Sequence, residues 1–487
     1  METTLTSCNS SSLATFVPSG KKPWNVQKVT HLYRRAAFGA NKATITDALT
    51  KSPSQVVDNL VDEAVAKNPT TAPPWGNWTK KQFEKTSKKI FQYRRDWQNQ
   101  MAEDLFENDL RDRMTLFWSN HFVTESQSYN SPSYMFQYYN LLQLHAVGNF
   151  KDFTRDIGLS NAMLVYLNGR ENTKRKPNEN YARELYELFT LGVDNGYTQE
   201  DIVETSKALT GYNDRTEVWA PITFNQNKFN NDPKTIFGRT GNWGYNDVID
   251  ILFEEKPDLI ANFICKKLYA YFISPDINKN IVNQLANTFK NNNFEIAPVL
   301  KRLFKSQHFF DENTYGVIVK SPADVQICFL KELDLKTEAS FKIFDKVRGG
   351  NAFLGQSLLD PIDVAGWQGD LSWIGSSTLV ARWDRILYYI NRAFKHDKEQ
   401  FRTIATNIVG TNNNDVKDVS RKLVDFFMPK ALFDEDEYEE ALEIFKDQVP
   451  DSYFVDGTWV LSSSSSTPTQ MYRLLNYIIK IPEFQLK

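Results

Sequence analysis

Bulky apolar residues recur at three- and four-residue steps through most of the chain, the spacing of helices that turn one face to a core. Within residues 80–122 they fall at Phe83, Ile90, Trp97, Met101, Leu105, Met114 and Phe117. That run is long enough for two helices or one long bent one. The same period predicts helices around 132–146, 180–191, 199–209, 258–272 and 281–291. Further ones follow at 295–305, 322–333, 376–394 and 435–446, and a terminal helix over 471–481 comes after the serine run 462–466. The acidic stretch 434–440 reads as a docking tail or, in preference, a helix start, where negative charge suits the dipole.

Between 212 and 247 the helical period stops. Asn, Gly and Trp dominate, with alternations such as Val218-Trp219-Ala220 and Ile222-Thr223-Phe224, which fit a small hairpin or irregular excursion. The fold expected is mainly α: an irregular multi-helix bundle in two helical halves, 26–211 and 248–487, with a small β/loop excursion at 212–247. Residues 1–25 read as a disordered lead-in. No fixed-period repeat emerges, which argues against a solenoid.

Composition narrows the functional classes. Across 487 residues, 57 Lys+Arg face 60 Asp+Glu, a balance that argues against general electrostatic capture of nucleic acid. Cys8, Cys265 and Cys328 are far apart, which argues against a disulfide framework or a Cys-based zinc site. No apolar run reaches the ~18 residues of a spanning helix. The polar N-terminus lacks the basic and apolar regions of a signal peptide, so the simplest compartment is cytoplasmic. Aromatic residues make up 14% of the chain, enough for a core rich in rings.

The densest polar constellation is 177–192, Pro-Asn-Glu-Asn-Tyr-Ala-Arg-Glu-Leu-Tyr-Glu-Leu-Phe-Thr-Leu-Gly. Pro177 suits a first helical turn and Gly192 the stop beyond it. Asn180, Arg183, Glu184 and Glu187 then share a face, with Asn178 just ahead of it. Such a stripe can bind a cation or a polar substrate, or serve as an ion-pair ladder between helices. In 111–122, Arg113, Trp118 and His121 lie within two turns, with Asn120 beside them. His121 is a candidate base or ligand, or a hydrogen-bonded core residue. No His-x-x-x-His or Glu-x-x-His occurs, so no cofactor is implied, and any metal would be an oxygen-ligated Mg²⁺ or Ca²⁺.

The basic run from Lys80 to Arg95 is an anion-binding surface or a solvated helix face. The loop 238–244 has glycines at every third residue but lacks the Gly-Lys-Ser/Thr ending of a phosphate loop. Thr198 and Asp201 form a capping arrangement. In 355–367, Pro, Gly and Trp punctuate a bend. Trp367 and Trp373 form an aromatic wall for a ligand, or pack over a turn.

Several segments together resemble the bacterial family called domain of unknown function 1800. They are His31-Leu-Tyr-Arg-Arg-Ala-Ala-Phe-Gly39, residues 113–122, Tyr166-Leu-Asn with 177–192, Gly196-Tyr-Thr-Gln-Glu-Asp-Ile202, Ala208-Leu-Thr-Gly-Tyr212, Lys320-Ser-Pro322, 355–367 and Pro482-Glu-Phe-Gln485. The resemblance implies a largely helical fold and no established activity. The chain departs from the family pattern at Asn231-Asp232-Pro-Lys234, Lys256-Pro257 and Ile362-Asp363-Val364, so a mechanism that needs the family's middle-loop His loses support here. The resemblance also implies a partner, a protein resembling domain of unknown function 1501, of the sulfatase and alkaline-phosphatase class, with export in complex with it.

Three functions stand as expectations, one of them glycan binding by Trp367 and Trp373. The first is a binding or assembly role beside that partner. The alternative is a hydrolase or transferase acting on a polar substrate. In it, Glu184 or Glu187 is the acid/base, Arg183 the anion clamp, and Asn180 and His121 position the substrate; Asn178, Arg113, Trp118 and Trp367 complete the pocket.

Overall fold

The computed structural model describes residues 12–487. It is mainly helical, as the periodicity predicts, with two small antiparallel hairpins. The elements that build the site are α1 (Val26–Ala36), α2 (Asp109–Ser119), α3 (Asn180–Glu184), α4 (Pro257–Phe272), α5 (Pro322–Leu333) and α6 (Ser376–His396). The excursion between the halves holds β1 (Tyr212–Asp214) paired with β2 (Thr223–Phe224), and β3 (Lys234–Ile236) paired with β4 (Arg239–Gly241). The glycine-rich loop therefore begins as a hairpin turn, with Phe237 and Gly238 both at positive φ, the conformation that a two-residue connection requires.

The two helical halves share one continuous apolar core that runs from Leu13 to Phe484. The helix Pro53–Ala66 packs on Ile296–Phe304, and Ile90–Glu107 packs on Ile343–Phe353. Rings fill much of that core: Trp118 stacks on Phe150, and Trp97 meets Phe136 edge-on. No helix among the described residues is long and apolar enough to cross a membrane.

Three local readings change. Residues 80–122 form three helices, Lys80–Glu84, Ile90–Glu107 and α2. The second break falls where Asn108 leaves helical geometry and Asp109 adopts a positive φ. Part of the expected lead-in, 1–11, lies outside the described residues, and Cys8 with it. From Ser12 onward the chain is folded: Leu13 and Phe16 are buried, and the Phe16 amide donates to the Lys305 carbonyl at 2.7 Å. The basic residues after Lys80 are a solvated face, where Lys81 pairs with Glu217 and Arg95 with Asp345.

The third change matters most. The helix expected over 180–191 is α-helical only through α3 and then widens into a π-helical turn, Leu185–Thr190. The Leu191 amide there reaches the Tyr186 carbonyl, five residues back, at 2.9 Å. Pro177 stands ahead of the helix instead of inside its first turn, and Gly192 ends it at φ +98°.

Candidate functional site

A cleft of about 370 Å³ opens between the end of α2, one face of α4, the start of α5 and the loop that leads from Gln356 to Trp373. That volume lies within the range of small-molecule sites. On α4, Phe263, Lys267 and Tyr271 recur at four-residue steps and so share a face, and Lys267 and Tyr271 line the cleft. α2 is buried around its whole circumference, and its chain emerges at Asn120 and His121, both in the cleft wall.

His121 is fixed by the π-turn after α3. Its Nε2 lies 2.9 Å from the Phe189 carbonyl, so Nε2 carries the proton and Nδ1 keeps a lone pair. The Nζ of Lys267 donates to that Nδ1 at 3.0 Å. Burial and the neighbouring Lys267 hold the imidazole well below its ordinary range, against the pull of the Phe189 bond, so it is neutral. Lys267 also reaches the Leu188 carbonyl at 3.4 Å and lies 4.8 Å from the Phe263 ring centre. Carbonyls at a helix end lack intrahelical partners and carry negative partial charge, which suits an N–H donor and a cation. Burial brings the Lys267 ammonium down to about 8. Among the described residues no carboxylate pairs with it.

The floor is a second polar group. Asp324 accepts from Arg113 on one oxygen and from Lys487 Nζ at 2.6 Å on the other. Asp324 also closes the N-terminal cap of α5, accepting from the Ser321 amide at 3.0 Å. Burial raises its pKa, but Arg113 and Lys487 outweigh that and hold the carboxyl well below the usual range. Burial and Arg113 bring Lys487 down to about 7. Arg113 is sandwiched between the Phe38 and Tyr271 rings, 4.6 and 4.8 Å away.

Further buried cations surround Asp324. Arg35 donates to the carbonyls of Phe272, Ile273 and Thr314, and burial lowers it to about 9. Lys320 donates to the Phe484 carbonyl at 2.8 Å, and Arg382 to the Lys320 carbonyl at 2.7 Å. Arg34 alone has its own carboxylate, gripping Glu332 at 2.6 and 2.9 Å. Cationic groups thus outnumber carboxylates beneath the cleft.

The loop that forms the outer wall hangs on Asn120. Asn120 Oδ1 accepts from the Trp367 amide at 2.6 Å, and its Nδ2 donates to the Trp367 carbonyl at 3.1 Å. Trp367 and Trp373 both line the cleft.

The residues singled out in the sequence are divided by this geometry. His121 and Trp367 line the cleft, and Arg113 lies behind its floor. Trp118 is fully buried, donates to the Ala146 carbonyl at 2.8 Å and packs among phenylalanines. Arg183 joins a surface ladder with Glu179, Glu187 and Gln199, at 3.1, 3.2 and 2.9 Å. Asn178 and Asn180 shape the turn ahead of α3: the Asn180 amide donates to Asn178, and the Asn180 side chain donates to Asn168. Glu184 is half-buried, and burial and Glu187 raise its carboxyl. It does not line the cleft. The motif thus meets the cleft through backbone, the Leu188 and Phe189 carbonyls that seat Lys267 and His121.

Lys267, Asp324 and Lys487 escape a reading of the sequence alone. The one signal for Lys267 is its place between Phe263 and Tyr271 at four-residue steps. Among the described residues, no group of three or more His, Cys, Asp or Glu is placed to hold a metal ion.

A family model described as a protein of unknown function, DUF1800, matches residues 31–486. No curated protein and no solved structure matches the chain.

Proposed function

The chain belongs to the DUF1800 family of proteins of unknown function, and we propose that its cleft binds a small molecule that carries an anionic group. The observation that supports this most is the imbalance beneath the cleft: Arg35, Arg113, Lys320, Arg382 and Lys487 gather around Asp324, while the nearby Glu332 is taken by Arg34. The cleft wall itself carries Lys267 and Lys487 beside Asp324 and Asp370, so the excess of positive charge comes from the arginines and Lys320 behind it, and a positive potential in a low-dielectric enclosure concentrates anionic ligands. Trp367 and Trp373 supply an apolar wall, and Lys267 a donor with no acid of its own. This moves the polar-substrate reading from Glu184, Glu187 and Arg183 to the Lys267 side, and keeps His121, Trp367 and Arg113.

The test is a thermal-shift and calorimetry survey of small carboxylates and phosphates. A ligand that binds only the folded state adds about 2.7 kcal/mol of stability at a hundredfold excess over Kd, so a binder raises the unfolding midpoint. Its affinity should fall in Lys267→Met and in Trp373→Ala. A panel without a single binder would remove the proposal.

A protein partner is a second reading, supported by the exposed apolar side chains of the outer loop. Ile362 is 86% and Leu371 74% exposed, on the segment that walls the cleft. The resemblance points to a sulfatase- or alkaline-phosphatase-like protein, with the pair either held in the cytoplasm or exported together. Coexpression and pull-down with such a protein should show a complex that Ile362→Asp with Leu371→Asp abolishes. A clean monomer in coexpression would dismiss it.

A further inference from the structure

Lys267 presents a half-buried amine to the cleft. Its hydrogen-bond partners are the Nδ1 of a neutral imidazole and a backbone carbonyl, and no carboxylate holds it in the ammonium form. Because His121 Nε2 is committed to the Phe189 carbonyl, Nδ1 can only accept. It takes one N–H of Lys267 and so sets the direction of the nitrogen lone pair. The Phe263 ring covers another side at 4.8 Å. Lys320 and Lys234 also donate to backbone carbonyls beside an aromatic ring, but Lys267 differs from both in lining the cleft and in giving one N–H to an imidazole.

We infer that Lys267 is a nucleophilic amine that condenses with the carbonyl group of an anionic aldehyde or ketone bound in the cleft. The inference rests on the proposed anion-binding reading and names the reactive group of the ligand. The Nζ lone pair forms a bond to the carbonyl carbon while the C=O pair moves onto oxygen, and one amine proton passes to that oxygen. The carbinolamine then loses its hydroxyl with a second proton as water, and the remaining pair closes the C=N bond. One amine and one carbonyl give one imine and one water, with no change of oxidation state. Burial lowers the ammonium pKa to about 8, which leaves a larger share of free amine than an exposed lysine holds at neutral pH. His121 is the positioning residue.

Pyridoxal phosphate followed by borohydride reduction tests this, with peptide mapping of the full chain. Pyridoxine phosphate, which has the same ring and phosphate but no aldehyde, is the binding control. Lys267 should be the first site labelled, about tenfold or more faster than an exposed lysine such as Lys81. Pyridoxine phosphate should compete, and His121→Gln should slow labelling of Lys267 without changing that of Lys81. If pyridoxine phosphate binds by calorimetry but Lys267 is labelled no faster than Lys81, the imine chemistry is overturned and the binding site stands. If neither compound nor any other small anion binds, the site itself is wrong and the inference falls with it.

Discussion

Asn120 and Trp367, far apart in the chain, exchange two hydrogen bonds, with the Asn120 amide gripping both the N–H and the C=O of Trp367 at 2.6 and 3.1 Å. The residue before Trp367 is Gly366 at φ +78°, and a Cβ there would lie 2.3 Å from Asn120 Oδ1. Gly366→Ala therefore meets both a backbone penalty of about 1–2 kcal/mol and a side chain with no room to retreat. Asn120→Ala loses two bonds, about 1 kcal/mol each. Both variants should release the outer wall while the helical core stays folded. Hydrogen exchange checks this: the Trp367 amide should lose protection, and amides in α4 should keep theirs. Unchanged protection at Trp367 would mean that the loop is held by other contacts.

The two cleft lysines make stability depend on pH. Lys267 and Lys487 have folded-state values lowered to about 8 and about 7, both by burial first. In the unfolded chain both stay protonated until roughly pH 10. Between those limits the unfolded state binds more protons, so stability rises with pH. Lys267→Met removes one contributor and the cost of keeping its charge buried. At neutral pH the variant should be more stable, by up to roughly 3 kcal/mol, and the gain should shrink as pH approaches 10. Urea titrations at several pH values measure it; a gain independent of pH would place the effect in packing instead.

Two arginines separate surface from core. Arg183 is about one-third exposed and ties Glu179, Glu187 and Gln199 in a solvated ladder, a type of contact that contributes about 1 kcal/mol or less. Arg113 is fully buried against Asp324. Arg113→Met should cost about 3–5 kcal/mol, reduced to the extent that Lys487 still neutralises Asp324. Arg183→Ala should leave the unfolding midpoint nearly unchanged. Equal losses in chemical denaturation would show that the ladder is structurally essential.

Part of this architecture is legible in the chain itself. Helical periodicity locates most of the elements, because burial of one face imposes a local pattern. The hairpins at 212–247 are visible as its interruption. Local pattern also brings His121 and Trp367 forward. It assigns Glu184, Glu187 and Arg183 to a pocket because a shared helix face does not say what the face meets, and here it is a half-exposed ladder away from the cleft. Lys267 is hidden beside Lys266 in an amphipathic helix, where a lysine normally faces water. Phe263 covers it from its own helix, but the groups that meet its Nζ, His121 just beyond α2 and the Leu188 carbonyl of the π-turn after α3, are not local. Asp324 has no local signal as a site residue, and only the tertiary fold brings Arg113 and Lys487 to its carboxylate. The π-turn itself has no sequence signal, and it carries the two carbonyls on which the site depends.

Those carbonyls lead to a spectroscopic prediction for His121. With Nε2 bound to the Phe189 carbonyl at 2.9 Å and Nδ1 facing Lys267 at 3.0 Å, the ring should exist as the Nε2–H tautomer alone. Protonating Nδ1 would set two cations against each other in a buried place, so burial and Lys267 both keep the ring neutral. Nitrogen–carbon-bound-proton correlation spectra of histidine-labelled protein should show one unprotonated Nδ1, with no change between about pH 5.5 and pH 8. In Lys267→Met the coulombic opposition disappears while burial stays. The His121 midpoint should then rise, though it should remain below that of an exposed histidine. A midpoint near the ordinary histidine value of about 6.5 in the unaltered protein would mean that the ring is solvated and does not hold the Lys267 amine in place.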